Sequence, residues 1–340
     1  MSARLAVSIG CPSGIGPEVS IVAASALRNA HAILLVGDFG AIDRAARARK
    51  ISLRAIERVE APEFRRGRVS VWQPTESLAA RDRALGHPSR AGGAAQLAWI
   101  DAACDLVSRA RGTDGADALV TGPVSKDAIA SSGARGARQF LGHTEHLQAR
   151  LHAKDAVMCF STETRAVKLA TALVTTHLPI SAVPRAITAD AVARSALWLA
   201  DFVARREPRA RSRVAVASLN PHAGEHGRIG HEESRIARGI ARAQKKIDAK
   251  KIELVGPMPA ETAFRLGAAG ELRGVLAMYH DQATIPMKLL GFGDAVNVTL
   301  GLPIVRTSVD HGTAYDRAAR FDADARGMLS AMRLAAELSV

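Results

Sequence analysis

Aromatic side chains are scarce, with Phe, Trp and Tyr together making up 4% of 340 residues. A core must therefore be built mainly from Ala, Val, Leu and Ile. Cysteine is scarcer still: Cys11, Cys104 and Cys159 form an odd, widely spaced set without a CxxC. That argues against a disulfide framework and fits reduced thiols in a cytoplasm. No apolar run reaches the ~18 residues of a membrane span. The opening stretch MSARLAVSIGCPSG lacks the length and cleavage pattern of a signal peptide and leads directly into a strand-like run. Internal repeats, low-complexity tracts and disordered linkers are missing as well.

What is present in excess is positive charge. The formal net charge is +13, although charged residues account for an ordinary 23%. Nucleic-acid binding is one reading of such an excess. The basic residues are nevertheless dispersed, as in RAARARK and ARREPRARSR, and no aromatics interleave with them as stacking platforms. The excess is better explained by a surface that handles anionic small molecules, with no nucleic-acid partner.

Short β-branched runs alternate with longer amphipathic stretches. RLAVSIG, AILLVGD, RVSVW, DALVTGP, AVMCFST, KLATALVTTH, RVAVASLNPH, IELVGPM, GVLAMYH and AVNVTLGLPIVRTSV read as strands. AAQLAWIDAACDLVSRA, ADAVARSALWLADFVARR and EESRIARGIARAQKKI read as helices. This alternation predicts an α/β fold with a largely parallel sheet. Several strands end in polar groups: Thr121-Gly122-Pro123, Thr176-His177, Asn220-Pro221-His222 and His280-Asp281. Ligands of open α/β sheets bind outside the carboxyl ends of the strands. The loaded endings therefore read as walls of one cleft.

A lone histidine after a buried run is usually structural. Three in equivalent places, His177, His222 and His280, suit a catalytic divalent ion such as Zn²⁺. His222 and His226 are not a zincin-type pair, because NPHAGEHG contains Pro and Gly and cannot form a regular helix. SIGCPSGIGPEVS reads as strand, glycine turn and helix start, a place for an anion, but it has neither the Rossmann GxGxxG spacing nor the GK[ST] of a P-loop. In LGHTEHL, His143 and Thr144 stand where a helix begins, with Thr144 a plausible N-cap. Lys288, Asn297 and Arg306 lie in or beside apolar runs near the C-terminal end, where an unpaired charge is costly. A lysine and an arginine meeting in one pocket are what a phosphate- or carboxylate-bearing substrate requires.

Taken together, GCPSGIGPE, TGPVSK, GHTEHL, TTHLPI, LNPHAGE, GPMPAET, YHDQ and VNVTLGLPIVRTSVDHGTAYD resemble the 4-hydroxythreonine-4-phosphate dehydrogenase family of pyridoxine biosynthesis, over nearly the whole chain. The resemblance implies a two-domain α/β/α architecture similar to isocitrate and isopropylmalate dehydrogenases, with the active site in the interdomain cleft. The layout of motifs places one domain at about residues 1–130 with 290–340 and the other at about 131–289. It also implies a homodimer with shared active sites. His177, His222 and His280 match the family's metal ligands, the last supplied by the partner subunit, and MYHDQ is then a strand carrying a ligand across the interface. His143, Thr144, Lys288, Asn297 and Arg306 match its contacts to a small phosphorylated hydroxy-acid substrate. The implied reaction is metal-dependent oxidation of 4-phosphohydroxy-L-threonine by NAD or NADP, with Zn, Mg, Co or Mn as the ion, followed by decarboxylation. Asp281, beside a metal ligand, is the expected proton acceptor, and Lys288 the alternative. The chain departs from the family's usual pattern at Cys11, at HGRIGH and at Ala283. The rival readings are a dehydrogenase of a tetronate 4-phosphate or another hydroxy acid, a metal-dependent hydrolase and a basic nucleic-acid-binding protein.

Overall fold

Residues Ala32–Val36 read AILLV, and the whole strand is buried. A strand with no polar face must be covered on both sides, which is the environment of a parallel sheet lined by helices. The computed structural model describes residues 2–109, 114–164, 167–291 and 293–339. It has this α/β character throughout, and the chain divides into two compact units, Met1–Lys154 with Leu302–Val340, and Asp155–Gly301.

The first unit runs β1 (Arg4–Ser8), α1 (Gly16–Leu27), β2 (Ala32–Val36), α2 (Phe39–Ala48), β3 (Ile56–Val59), β4 (Val69–Trp72), α3 (Arg90–Val107), β5 (Ala118–Thr121), α4 (Lys126–Ser131) and α5 (His143–Arg150). The second comprises β6 (Val157–Glu163), β7 (Lys168–Leu173), α6 (Val183–Ala186), α7 (Ala189–Arg206), β8 (Ser212–Ala217), α8 (Glu232–Gln244), β9 (Ile252–Met258), α9 (Ala260–Ala268), β10 (Gly274–Ala277), α10 (His280–Leu290) and β11 (Val296–Leu300). The chain then returns to the first unit as β12 (Val305–Val309) and α11 (Arg326–Leu338).

Strand order in the first unit is β3-β4-β2-β1-β5-β12, with every pairing parallel. In the second it is β11-β6-β7-β10-β8-β9, parallel from β7 onward. There β6 runs antiparallel to both β11 and β7. The second core is largely aliphatic, as the shortage of aromatics requires, with Phe160 and Phe264 among Leu169, Leu173, Val275 and Met287.

Helix starts follow local chemistry. Ser89 Oγ accepts from Gly92 N at 3.0 Å to cap α3, and Thr188 Oγ1 accepts from Ala191 N at 3.1 Å to cap α7. Arg205 and Arg206 close α7 where the helix dipole favours cations. Among the described residues no helix is long and apolar enough to cross a membrane.

Four details differ from expectation. β3 reads IERV, too charged to look like a strand; it is an edge strand whose Arg58 lies over the Phe39 ring at 5.8 Å. AVNVTLGLPIVRTSV forms two strands, β11 and β12, not one. MYHDQ is not strand: β10 ends at Ala277, and His280 opens α10 with Tyr279 as N-cap. The Gln282 side chain takes up Met278 N, accepting from it at 2.6 Å, while Met278 O accepts from Thr175 N at 3.2 Å. Thr144 does not cap α5, because the helix begins at His143 with Gly142 as N-cap.

Candidate functional site

In the first unit β1, β5 and β12 are adjacent and parallel, so their carboxyl ends share one edge. The loop after β1 crosses the loop after β5 closely. Gly10 has φ 77°, and a Cβ there would lie 2.2 Å from Pro123 O. Cys11 N donates to Pro123 O at 2.8 Å. Ser125 Oγ caps α4 through Ala128 N, while Ser125 N donates to Gln96 Oε1 of α3 at 2.9 Å. Cys11 Sγ and Tyr315 OH are 3.5 Å apart. Burial raises the Cys11 thiol pKa and pushes the Tyr315 phenol up to about 12, so both remain protonated at neutral pH.

Arg306 on β12 is buried and donates from Nη2 to Thr121 Oγ1 of β5 at 2.6 Å. Burial pushes its pKa down to about 10, against the opposing pull of Glu145, so it is still a cation at neutral pH. Thr121 was legible only as a polar strand ending. Its pairing with Arg306 depends on β5 and β12 being neighbours, which no local spacing announces.

At the start of α5, the His143 ring meets Phe140 edge-on at 6.0 Å. Its Nε2 is buried with no hydrogen-bond partner among the described residues. Burial first, then Arg306, His146 and Lys126, hold its pKa well below the ordinary imidazole value. His143 is therefore a neutral hydrogen-bonding group. Thr144 is half-buried at the second position of the helix. One turn on, His146 Nε2 and Asp101 Oδ1 of α3 are 2.7 Å apart.

The depressed His143 pKa has a pH signature. Below about pH 6.5 the unfolded chain takes up a proton at this position that the folded chain refuses. Stability should therefore fall on acidification, by up to about 1.4 kcal/mol per pH unit from this residue. His143→Gln removes the term. Denaturant melts between pH 7.5 and 5.5 should show a shallower pH slope for the variant; an unchanged slope would mean that the imidazole charges normally.

In the second unit β7, β10 and β8 are adjacent and parallel, and the three histidines follow their carboxyl ends. The His177 and His280 rings lie 5.8 Å apart, tilted by 43°. His280 Nδ1 is 2.7 Å from Asp281 Oδ1. An Nδ1–H donating to that carboxylate leaves Nε2 with its lone pair outward, the arrangement of a metal-bound histidine. His222 is exposed and begins a run through His226 with positive φ at every residue. This left-handed conformation costs an L-residue about 1–2 kcal/mol. Imidazole nitrogens backed by a carboxylate are a donor set that fits a divalent transition ion. Among the described residues, no group of three or more His, Cys, Asp or Glu is already drawn together to hold one.

Thus His177 and His280 meet within one chain, while His222 stands on the loop of the neighbouring strand. Lys288 is exposed on α10, the helix that His280 begins. Asn297 is half-buried on β11, and its Oδ1 is buried without a hydrogen-bond partner among the described residues. Asp281 is largely exposed in the first turn of α10.

Comparison with known proteins places these motifs in a lineage. The chain is 38% identical over 341 residues to the 4-hydroxythreonine-4-phosphate dehydrogenase of Geobacter metallireducens, covering 99% of this chain and 95% of that protein. The crystal structure of 4-hydroxythreonine-4-phosphate dehydrogenase from Klebsiella pneumoniae superposes with a TM-score of 0.79 at 31% identity, covering 100% of both chains. A terephthalate 1,2-cis-dihydrodiol dehydrogenase from Burkholderia xenovorans LB400 superposes with a TM-score of 0.65 at 27% identity, covering 99% of this chain and 98% of that one. Residues 29–335 match the family of pyridoxal phosphate biosynthetic protein PdxA. The chain belongs to that family.

Proposed function

We propose that this protein oxidises 4-phosphohydroxy-L-threonine to 2-amino-3-oxo-4-(phosphooxy)butanoate, which decarboxylates to 3-amino-2-oxopropyl phosphate, in pyridoxal 5'-phosphate biosynthesis in the cytoplasm. The observation that carries this reading is the set of histidines that follow the carboxyl ends of three adjacent parallel strands. The relatives named above support the substrate.

His177, His222 and His280 would hold the divalent ion, Zn, Mg, Co or Mn, and the imidazoles favour the transition metals among these. When bound, the ion supplies Lewis-acid chemistry at the substrate hydroxyl, and NAD or NADP supplies the hydride acceptor. The remaining tasks fall to the chain's own groups. Arg306 presents a fixed cation to an anionic end of the substrate, and neutral His143 a hydrogen bond. Thr144, Lys288 and Asn297 complete the proposed contacts, with the buried Asn297 Oδ1 lacking a partner as a site oxygen would. Asp281 accepts the proton, its exposure leaving a path to solvent.

The working form is a homodimer in which His280 of the partner subunit completes each site. Leu178, Ile180, Ile285 and Leu289 support this as large apolar side chains left exposed, the last two on one face of α10.

The test is reduction of NAD⁺ and NADP⁺ by a panel: 4-phosphohydroxy-L-threonine, a tetronate 4-phosphate and an unphosphorylated cis-dihydrodiol. Turnover should be greatest with the first, disappear on chelation and return with added metal. Turnover confined to another substrate overturns the assignment, and full activity in metal-free protein overturns the metal site.

A further inference from the structure

His222 stands at the head of the left-handed run, and the chain feeding it is gripped by a carboxylate from another element. Glu233, in the first turn of α8, accepts from Leu219 N at 3.2 Å and from Asn220 N at 2.9 Å through Oε1. Through Oε2 it accepts from Asn220 Nδ2 at 2.9 Å. Its neighbour Glu232 takes the same Nδ2 at 2.8 Å and His231 N at 3.1 Å. The far side of the loop base is fixed too, since Gln282 Nε2 donates to Ser218 O at 2.8 Å. Residues 218–220 are thus held from both sides immediately before Pro221 and His222.

The loop also folds back over the carboxylate. Gly224 is buried at φ 75°, and a Cβ there would lie 2.6 Å from Glu233 Oε2. A loop in an unfavourable backbone conformation persists only when its surroundings over-determine it. Glu233 is the group that does so here, meeting the run at its base and again at its middle.

We propose that Glu233 is the positioning residue for His222: it holds the left-handed loop in the one conformation that presents this imidazole as a metal ligand. This rests on the reading of His222 as a ligand. Glu233 does not touch the ion and acts only through the loop, so removing it costs metal affinity in the way that loss of an outer-shell partner does.

The test is Zn²⁺ affinity of the full-length, metal-stripped protein, titrated in competition with a chromophoric chelator. Glu233→Ala should weaken Zn²⁺ binding by about 10–100-fold. Glu233→Gln, which retains one acceptor oxygen, should fall between the two. Gly224→Ala attacks the same contact from the loop side and should also weaken binding, which keeps the test open if Glu233→Ala folds poorly. The deciding measurement is the double variant. In a His222→Ala background, Glu233→Ala should cost nothing further, because the ligand it positions is gone. Equal losses in both backgrounds, or a fall in melting temperature with no loss of affinity, would make Glu233 merely structural and overturn the proposal. Should His222→Ala alone leave Zn²⁺ affinity unchanged, the ligand reading itself fails, and that result is separate from any obtained with Glu233.

Discussion

Refolding a His177→Ala chain together with a His280→Ala chain should restore activity to about a quarter of all sites. Each variant alone should be nearly inactive, since every site in either homodimer lacks a ligand. In a mixed dimer the His280→Ala chain brings intact His177 and His222, while the His177→Ala chain brings intact His280. One site is then whole and the other lacks two ligands. Random pairing makes about half of the dimers mixed, hence the quarter. The rival arrangement is specific: the His177 and His280 rings approach to 5.8 Å within one chain, and if they serve the same ion, every site in a mixed dimer stays incomplete. Differently tagged chains verify that heterodimers form, and their specific activity decides between the two arrangements. His177→Ala mixed with His222→Ala is the control. Those ligands come from the same chain in the crossed site, so no whole site can form and no activity should return.

Arg306→Ala should raise KM for the phosphorylated substrate roughly ten- to a hundred-fold, the value of a charged hydrogen bond of about 1.5–3 kcal/mol. The increase for an unphosphorylated analogue should be far smaller. The argument starts from burial: a guanidinium is enclosed in a strand only where its charge is used or paired, and Arg306 is buried on β12 with Nη2 donating to Thr121 Oγ1. With its pKa lowered only to about 10, the cation persists across the neutral range, so titration of Arg306 itself should add no pH dependence to the KM effect from pH 6 to 8. Arg306→Lys retains the charge but loses the planar fork and should recover only part of the loss. Initial-rate kinetics on the two substrates check this. Equal losses on both would assign the arginine to the fold or to another group.

The fold class was legible because α/β alternation is a local pattern. ADAVARSALWLADFVARR, the stretch expected to be helical, coincides with α7. β3 was missed because an edge strand such as IERV carries charge where a central strand carries valine. The end of β10 was misread for a different reason. Met278 and Tyr279 continue the apolar run, and it is the Gln282 side chain, on the following helix, that takes up Met278 N. The same limit applies to the candidate site. Histidines at strand ends were visible one by one, but which ends are adjacent depends on the order β7-β10-β8, which the chain does not follow in sequence. The grip of Glu233 on Leu219 and Asn220 was likewise hidden, since a glutamate at a helix start normally reads as a response to the dipole.

The route of the chain through its two units imposes an order on synthesis. The second unit is one continuous stretch, so all of its strands are synthesised before β12 and α11. The first unit is begun first and finished last. Until the final residues emerge, β5 lacks its neighbour β12, and its ladder groups form an open edge of the kind that pairs with other chains. The strand that closes this edge is also the one that carries Arg306, so the nascent protein gains a complete first sheet and its buried guanidinium in the same step.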